Sequence, residues 1–170
     1  MTPGAPPVVS IVGRTNSGKT TLIERLIPVL GGRGYRVATI KHHHHGDFEA
    51  DTPGKDSWRH ARAGAVATGL AGTRRLALFE RLDAELTVEE IARLLAHARP
   101  DLILTEGYKD ASFPKIEVIR RAQELPPLCR AGEGLIALVT DGAWDLPVPH
   151  FPLDGADALA EFLIDRFLAR

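Results

Sequence analysis

The segment GRTNSGKT, residues 13–20, limits the possible folds of this chain more than any other segment. It matches the pattern G-x-x-x-x-G-K-[ST] without a gap. It follows a short β-branched run, VVSIV, and precedes leucines at helical spacing, Leu22, Leu26 and Leu30. A strand, a glycine-rich turn and a helix in this order form a nest of backbone N–H groups at the helix N-terminus, which binds phosphate. The motif therefore predicts a P-loop whose ligand is a nucleoside triphosphate.

Each residue type in the motif has a predicted role. The two glycines permit the backbone torsions that aim N–H groups at phosphate oxygens. Lys19 is expected to reach the β- and γ-phosphates, and Thr20 to present its hydroxyl to Mg²⁺. From the pattern alone, Thr21 is expected to lie on the helix surface and not to contact the ligand. The predicted phosphate-binding positions are Gly13, Asn16, Ser17, Gly18, Lys19 and Thr20.

The hydrophobic pattern after the P-loop predicts an α/β fold of the P-loop NTPase type, with a mostly parallel twisted sheet and helices on both faces. We expect strands over residues 8–12, 36–41, 101–105, 115–120 and 135–140, and helices from residue 19 and over 57–63, 87–97 and 155–168. Asp154 is the expected cap of the last helix. Residues 65–70 and 74–80 are expected to form a β-hairpin that could protrude.

Composition sets limits on the class of protein. A length of 170 residues, with 44% hydrophobic and 25% charged residues, suits one domain over residues 1–170. The net charge of −1 supplies no overall field that attracts nucleic acid. The chain has a single cysteine, no apolar run of the about 18 residues that cross a membrane, and no secretory signal pattern. We expect a cytoplasmic protein without a nucleic-acid or membrane partner.

Acidic residues at two places are candidates for the metal and for the attacking water. Glu106 follows the buried strand LILT, where P-loop proteins place an acidic group near the metal. Glutamate is one methylene longer than the usual aspartate, which favours a water-mediated or water-polarising role, and an ion pair with Lys109 is the alternative. In the loop 42–56, Asp51 is the preferred second metal ligand or water-orienting group, with a merely solvated loop as the alternative. The predicted metal site is Thr20, Asp51 and Glu106, with Glu106 and Asp51 as the catalytic pair.

The base is predicted to be read where the strand LIALV ends, at Thr140 and Asp141. A carboxylate there could accept hydrogen bonds from guanine N1–H and the 2-amino group, a pairing that adenine cannot supply. The usual guanine-reading motif N-K-x-D is absent from the sequence. An ordinary β-turn aspartate before Gly142 is the alternative.

A run of histidines opens the long loop: His42, His43, His44 and His45. Alternate imidazoles on an extended segment share a face and could bind Zn²⁺ or Ni²⁺. No CxxC motif accompanies them. Contacts with phosphate, a pterin or a partner are therefore favoured over a dedicated metal site.

Several long segments together resemble one known family. They are GRTNSGKTTLIERLIP, KHHHH followed by FEADTPGKDSWRHARAGA, DLILTEGYKDASFPKIEVIR, and the late LVTD. They resemble the molybdopterin-guanine dinucleotide biosynthesis protein B family of P-loop GTP-binding proteins. The second and third segments are long and unusual, so they specify the family better than the P-loop does.

The resemblance implies a cytoplasmic, homodimeric GTP-binding accessory protein with weak GTP hydrolysis and with GTP and Mg²⁺ as its cofactors. It would assist a guanylyltransferase that joins GMP to molybdopterin, or help deliver the finished cofactor, and molybdopterin is a further implied ligand. Carried over by motif, the phosphate and Mg²⁺ contacts are Gly13, Gly18, Lys19, Thr20 and Thr21. Asp51, Glu106 and Gly107 become metal and γ-phosphate sensing positions, and Asp141 becomes the guanine contact. Where relatives have small residues, Arg14 adds charge beside the phosphates.

Two other functions stay open at this point. A small-molecule kinase would use the same P-loop but needs an acceptor pocket and a base near the γ-phosphate. A metallochaperone-type module would instead use the four histidines.

Overall fold

The structure is a computed structural model that describes residues 5–43, 48–130 and 132–169. In these ranges the helices and strands are, in chain order, β1 (Val8–Val12), α1 (Lys19–Gly32), β2 (Val37–Lys41), α2 (Asp56–Arg62), β3 (Ala67–Ala71), β4 (Leu76–Glu80), α3 (Val88–Leu95), β5 (Leu102–Glu106), β6 (Lys115–Ile119), β7 (Leu135–Thr140), β8 (His150–Phe151) and α4 (Ala156–Leu163). Short 3₁₀ turns follow α3 and β6, and a π-type turn, Ile164–Leu168, follows α4. Within the described ranges, no helix is long and apolar enough to cross a bilayer.

The chain divides into two compact units. The first consists of the residues up to His42 together with those from Val88 onward, and the second is His43–Thr87. The expectation of a single domain over residues 1–170 stays a prediction.

The first unit is built on a six-stranded sheet with the strand order β2-β5-β1-β6-β7-β8, in which every pair of neighbours is parallel. All five residues of β1 and of β6 are buried, as is expected of the central strands of a parallel sheet. Glu106 is level with Ile11 of β1 and with Lys41 of β2. Because parallel strands all end at one edge, this register brings Glu106 beside the P-loop that follows β1.

Helices cover both faces of this sheet. One face packs against α1 and α4 in a core that includes Leu22, Leu26, Leu30, Leu159 and Leu163. On the other face, α3 packs through Val88, Ile91 and Leu95 against Ile40 and Ile103. The predicted α/β class, with a mostly parallel sheet between two helical layers, is therefore confirmed.

The second unit contains the expected hairpin. Strands β3 and β4 pair antiparallel, from Ala67 opposite Glu80 to Ala71 opposite Leu76. The turn closes through a 2.8 Å hydrogen bond from the Gly72 N–H to the Arg75 carbonyl oxygen. Helix α2 packs on β3.

Candidate functional site

The P-loop backbone adopts the left-handed torsions that its sequence predicts. Gly13, Asn16 and Gly18 have φ angles of 144°, 60° and 105°. Asparagine tolerates this region better than most residues, whereas the other two positions hold glycine. A Cβ at position 13 would also overlap the carbonyl oxygen of Val118 and lie 2.7 Å from the Oγ of Ser17. Position 13 therefore requires glycine for space as well as for torsion.

Lys19 lies across the loop that it is expected to serve. Its Nζ donates to the carbonyl oxygens of Gly13 at 3.0 Å and of Arg14 at 2.8 Å. Burial lowers the pKa of this lysine, and Lys41 lowers it further, whereas Glu106 opposes the change. Both hydrogen bonds join an ammonium to neutral carbonyl groups, so phosphate oxygens, which are charged, are better acceptors for the same donor.

Thr20 and Glu106 are in contact at the end of the P-loop, residues 13–20, which we also call the cradle. The Thr20 hydroxyl donates to the carboxylate, with Oγ1 3.0 Å from both Oε1 and Oε2. The Nζ of Lys41 lies 3.5 Å from Glu106 Oε1, so the ion pair of this carboxylate is with Lys41, whereas the alternative considered from the sequence was a pair with Lys109. Adjacent oxygen ligands of an octahedral Mg²⁺, bound at about 2.1 Å, are about 3 Å apart. The hydroxyl and the carboxylate thus have the spacing and the hard oxygen donors that Mg²⁺ requires.

A segment after β6, which we call the support segment (residues 120–130), donates hydrogen bonds to the P-loop backbone. Arg120 Nε donates to the Ser17 carbonyl oxygen at 3.0 Å, and Gln123 Nε2 donates to the Thr15 carbonyl oxygen at 2.9 Å. Neither residue was predicted from the sequence to belong to the site. The available signal was an arginine immediately after the strand KIEVI, at the sheet edge where ligands bind.

A pocket of about 410 Å³ opens beside the P-loop. Its lining includes Gly18, Thr21, Arg25, Arg120, Asp141 and Leu153. Thr21 thus faces the pocket and is not a surface residue remote from the site. The volume lies in the range of small-molecule sites in proteins.

The two predicted base-reading residues lie at this pocket in different settings. Thr140 is buried, and its Oγ1 accepts hydrogen bonds from the N–H of Gly142 at 3.0 Å and from Nε1 of Trp144 at 3.2 Å. Asp141 is exposed, and its Oδ1 accepts from the N–H of Arg121 at 2.6 Å. Thr140 therefore stabilises the turn, and Asp141 presents a carboxylate whose orientation is set by the Arg121 backbone.

Asp51 belongs to the second unit, where its Oδ1 accepts from the Thr52 N–H at 2.7 Å. Its predicted role at the metal stays a prediction. Of the histidine run, His42 stacks on Tyr108 with ring centroids 4.6 Å apart, and the ring of His43 lies 5.7 Å from that of Phe48. The other two, His44 and His45, lie outside the described residues. Within the described part of the chain, no group of three or more histidine, cysteine or acidic side chains is arranged to hold a metal ion.

A P-loop after a central parallel strand, with an acidic residue at the end of the adjacent strand, defines a P-loop NTPase-like α/β protein. The sequence model of the molybdopterin guanine dinucleotide synthesis protein B family, MobB, matches residues 8–141. The chain belongs to this family.

Similar proteins support this assignment along most of the chain. A relative from Haemophilus influenzae, named molybdopterin-guanine dinucleotide biosynthesis adapter protein, is 34% identical over 157 residues, which cover 92% of this chain and 87% of the relative. The protein of the same name from Escherichia coli K12 is 35% identical over 162 residues, covering 94% and 92%. The crystal structure of Bacillus subtilis MobB has a TM-score of 0.71 at 27% identity, covering 96% of this chain and 99% of that one. A MobB homolog from Bacillus stearothermophilus has a TM-score of 0.70 at 28% identity, with the same coverage.

Proposed function

We propose that this chain binds GTP with Mg²⁺ at its P-loop and acts as an accessory protein in the formation of molybdopterin guanine dinucleotide. The observation that carries the proposal is the cradle itself. Lys19 spans the loop through two carbonyl groups, and Thr20 hydrogen-bonds Glu106 at the loop's mouth. When a triphosphate is bound, its oxygens would accept the hydrogen bonds that the Lys19 ammonium otherwise donates to the loop carbonyl oxygens.

Thr20 and Glu106 are the residues that we propose hold Mg²⁺, and Asp51 is proposed as a third ligand. A bound Mg²⁺ would neutralise charge on the β- and γ-phosphates. Glu106 would hold the metal either directly or through a water that it would polarise. Lys41, paired with the same carboxylate, adds positive charge on the γ-phosphate side of the cradle.

We propose weak GTP hydrolysis by in-line attack of water, with Glu106 and Asp51 orienting that water. We propose that the nucleotide serves mainly to set the state of an adapter, which is the role in the names of the relatives. Guanine is selected through the free side of the Asp141 carboxylate, which lies on the rim of the pocket beside the P-loop.

We also propose that the protein is a cytoplasmic homodimer. Support for self-association comes from the hairpin of the second unit, which exposes apolar side chains: Val66 at 80%, Leu70 at 55%, Leu76 at 59% and Leu78 at 71%. Directly paired residues of an antiparallel ladder share a face, so Leu76 and Leu78 lie on one face of the hairpin and Leu70 on the other. Exposed apolar side chains of this kind mark interaction surfaces in proteins. Molar-mass measurement by light scattering on the unchanged protein and on Leu78→Ser tests this part, and a monomer in both samples contradicts it.

The adapter role is tested by adding the purified protein to a guanylyltransferase that joins GMP to molybdopterin. The yield of the dinucleotide cofactor should rise with the unchanged chain in the presence of GTP, and Lys19→Ala should remove most of the increase. A matched control is Arg93→Ala, which removes one positive charge from an exposed position of α3. An equal effect of the unchanged chain and Lys19→Ala contradicts a role for the nucleotide in the adapter function.

A further inference from the structure

The peptide units of the P-loop are held in place by a distant part of the chain. The Arg120 guanidinium donates to the Ser17 carbonyl oxygen across 103 positions of sequence, and the Gln123 amide donates to the Thr15 carbonyl oxygen across 108 positions. Arg120 also packs against Gly18, since a Cβ at position 18 would lie 3.2 Å from its Nη2. These contacts join the support segment to two consecutive stretches of the P-loop backbone.

The consequence follows from the geometry of the peptide bond. A trans peptide is planar, so its C=O and its N–H point in opposite directions. The Ser17 carbonyl shares a peptide unit with the Gly18 N–H, and the Thr15 carbonyl shares one with the Asn16 N–H. A donor that fixes either carbonyl outward therefore aims the N–H of the next residue into the cradle.

The support segment is itself anchored at both ends by β6. Arg120 follows the last residue of that strand, and Gln123 lies in the 3₁₀ turn Arg121–Gln123. At the far end, the Glu117 carboxylate, 1% exposed, accepts from the N–H groups of Leu128 at 2.7 Å and Cys129 at 3.0 Å. Because both ends are tied to a buried strand, the two donors approach the loop from a rigid base.

We propose that Arg120 and Gln123 are positioning residues that preorganise the phosphate cradle before the nucleotide binds. Arg120 has the larger effect, because its donor is charged and because it fills the space beside Gly18. This inference rests on the proposed nucleotide function and adds to it a source of affinity outside the P-loop motif. A preformed cradle lowers the ordering cost that the ligand would otherwise have to offset.

The test compares GTP with inorganic tripolyphosphate, which has the phosphates but no nucleoside. Calorimetric titrations should show that Arg120→Ala lowers the affinity for both ligands by the same factor, roughly tenfold. Gln123→Ala should lower both affinities by a smaller factor that is again the same for the two ligands. Arg93→Ala is the matched control, since it removes the same charge from an exposed position of α3, away from the P-loop and the support segment. It should leave both affinities within about twofold of the original values.

A second measurement separates positioning from general support of the fold. In ligand-free protein, ¹⁵N relaxation should show increased fast motion of the Asn16 N–H in Gln123→Ala and of the Gly18 N–H in Arg120→Ala. A residue that only stabilises the fold would lower the melting temperature without this local change. If Arg120→Ala does not fold, Gln123→Ala carries both measurements by itself.

Three results would overturn the inference. Loss of GTP binding with tripolyphosphate binding intact would make Arg120 a nucleoside contact. An equal loss in Arg93→Ala would reduce the effect to net charge, and unchanged affinities in both Arg120→Ala and Gln123→Ala would contradict the positioning role. If the unchanged protein binds neither ligand, the proposed nucleotide function itself fails, a result that is seen before any variant is made.

Discussion

The hydroxyl of Thr20 donates to both carboxylate oxygens of Glu106 at 3.0 Å, although the two residues are 86 positions apart in sequence. The contact joins the first turn of α1 to the end of β5. It places the two proposed Mg²⁺ ligands next to each other, and Lys41, paired with the same carboxylate, balances its charge.

Thr20→Val should remove the effect of Mg²⁺ on nucleotide binding while the fold is retained, because valine has the shape of threonine without the hydroxyl. The Mg²⁺ concentration that gives half-maximal tightening of a fluorescent GTP analogue should rise at least about tenfold. Thr39→Val, at an exposed position of β2, is the control and should titrate like the unchanged protein. An unaltered Mg²⁺ response in Thr20→Val would show that the hydroxyl is not a metal ligand.

Gly13→Ala should destabilise the protein, because alanine at a φ of 144° is strained and its Cβ would overlap the Val118 carbonyl oxygen. We expect the free energy of unfolding in urea to fall by about 2 kcal/mol or more. Gly32→Ala, in the last turn of α1 where an added Cβ meets nothing within 4 Å, is the control. It should raise stability by about 0.5–1 kcal/mol. Equal stability of the two variants would contradict the tight packing at position 13.

Asp141→Asn should shift nucleotide preference from GTP toward xanthosine triphosphate. The Arg121 N–H holds one carboxylate oxygen, so the asparagine carbonyl takes that place and its NH₂ faces the pocket. Xanthine carries a carbonyl oxygen where guanine carries the 2-amino group, so a donor at this position suits xanthine.

In competition against a fluorescent GTP analogue, the affinity of the variant for GTP should fall roughly tenfold, and its affinity for xanthosine triphosphate should rise by a similar factor. Asp145→Asn, at an exposed position, serves as the control. If ATP displaces the analogue from the unchanged protein as well as GTP does, guanine selection through Asp141 is wrong.

Cys129 should make stability fall with rising pH. Burial, with a further contribution from Glu117, raises the pKa of this thiol to about 11 from 9.0. Between these values the unfolded chain loses the thiol proton and the folded chain keeps it, so the free energy of unfolding decreases as the pH rises from 9.0 to about 11. Cys129→Ala should lack this pH-dependent component. Parallel pH profiles of the two proteins, measured by urea denaturation, would contradict it.

The pattern of apolar residues within each segment was sufficient to predict most of the fold. The bounds of β1 and β7 agree with the prediction because each apolar run ends at a glycine or an aspartate. The caps were less predictable, since they depend on side-chain rotamers. The residue directly before α4 is Gly155 and not the expected Asp154, and no side-chain capping hydrogen bond is formed there.

The candidate site was predictable only where one motif holds its parts. The residues of the P-loop are neighbours in sequence, and Glu106 was found because its strand ends in a charge. Arg120 and Gln123 were missed because their partners depend on β6 lying next to β1, a pairing between strands far apart in sequence. Pairing of that kind follows from the packing of the whole sheet and leaves no local pattern.

Isothermal titration of GTP into the purified protein with excess Mg²⁺ shows whether the P-loop binds the nucleotide. We expect saturable heat with about one nucleotide per chain, and Lys19→Ala should weaken binding roughly 10- to 100-fold because it removes the ammonium that spans the P-loop. No heat with any nucleoside triphosphate, or the same affinity in Lys19→Ala, would contradict it.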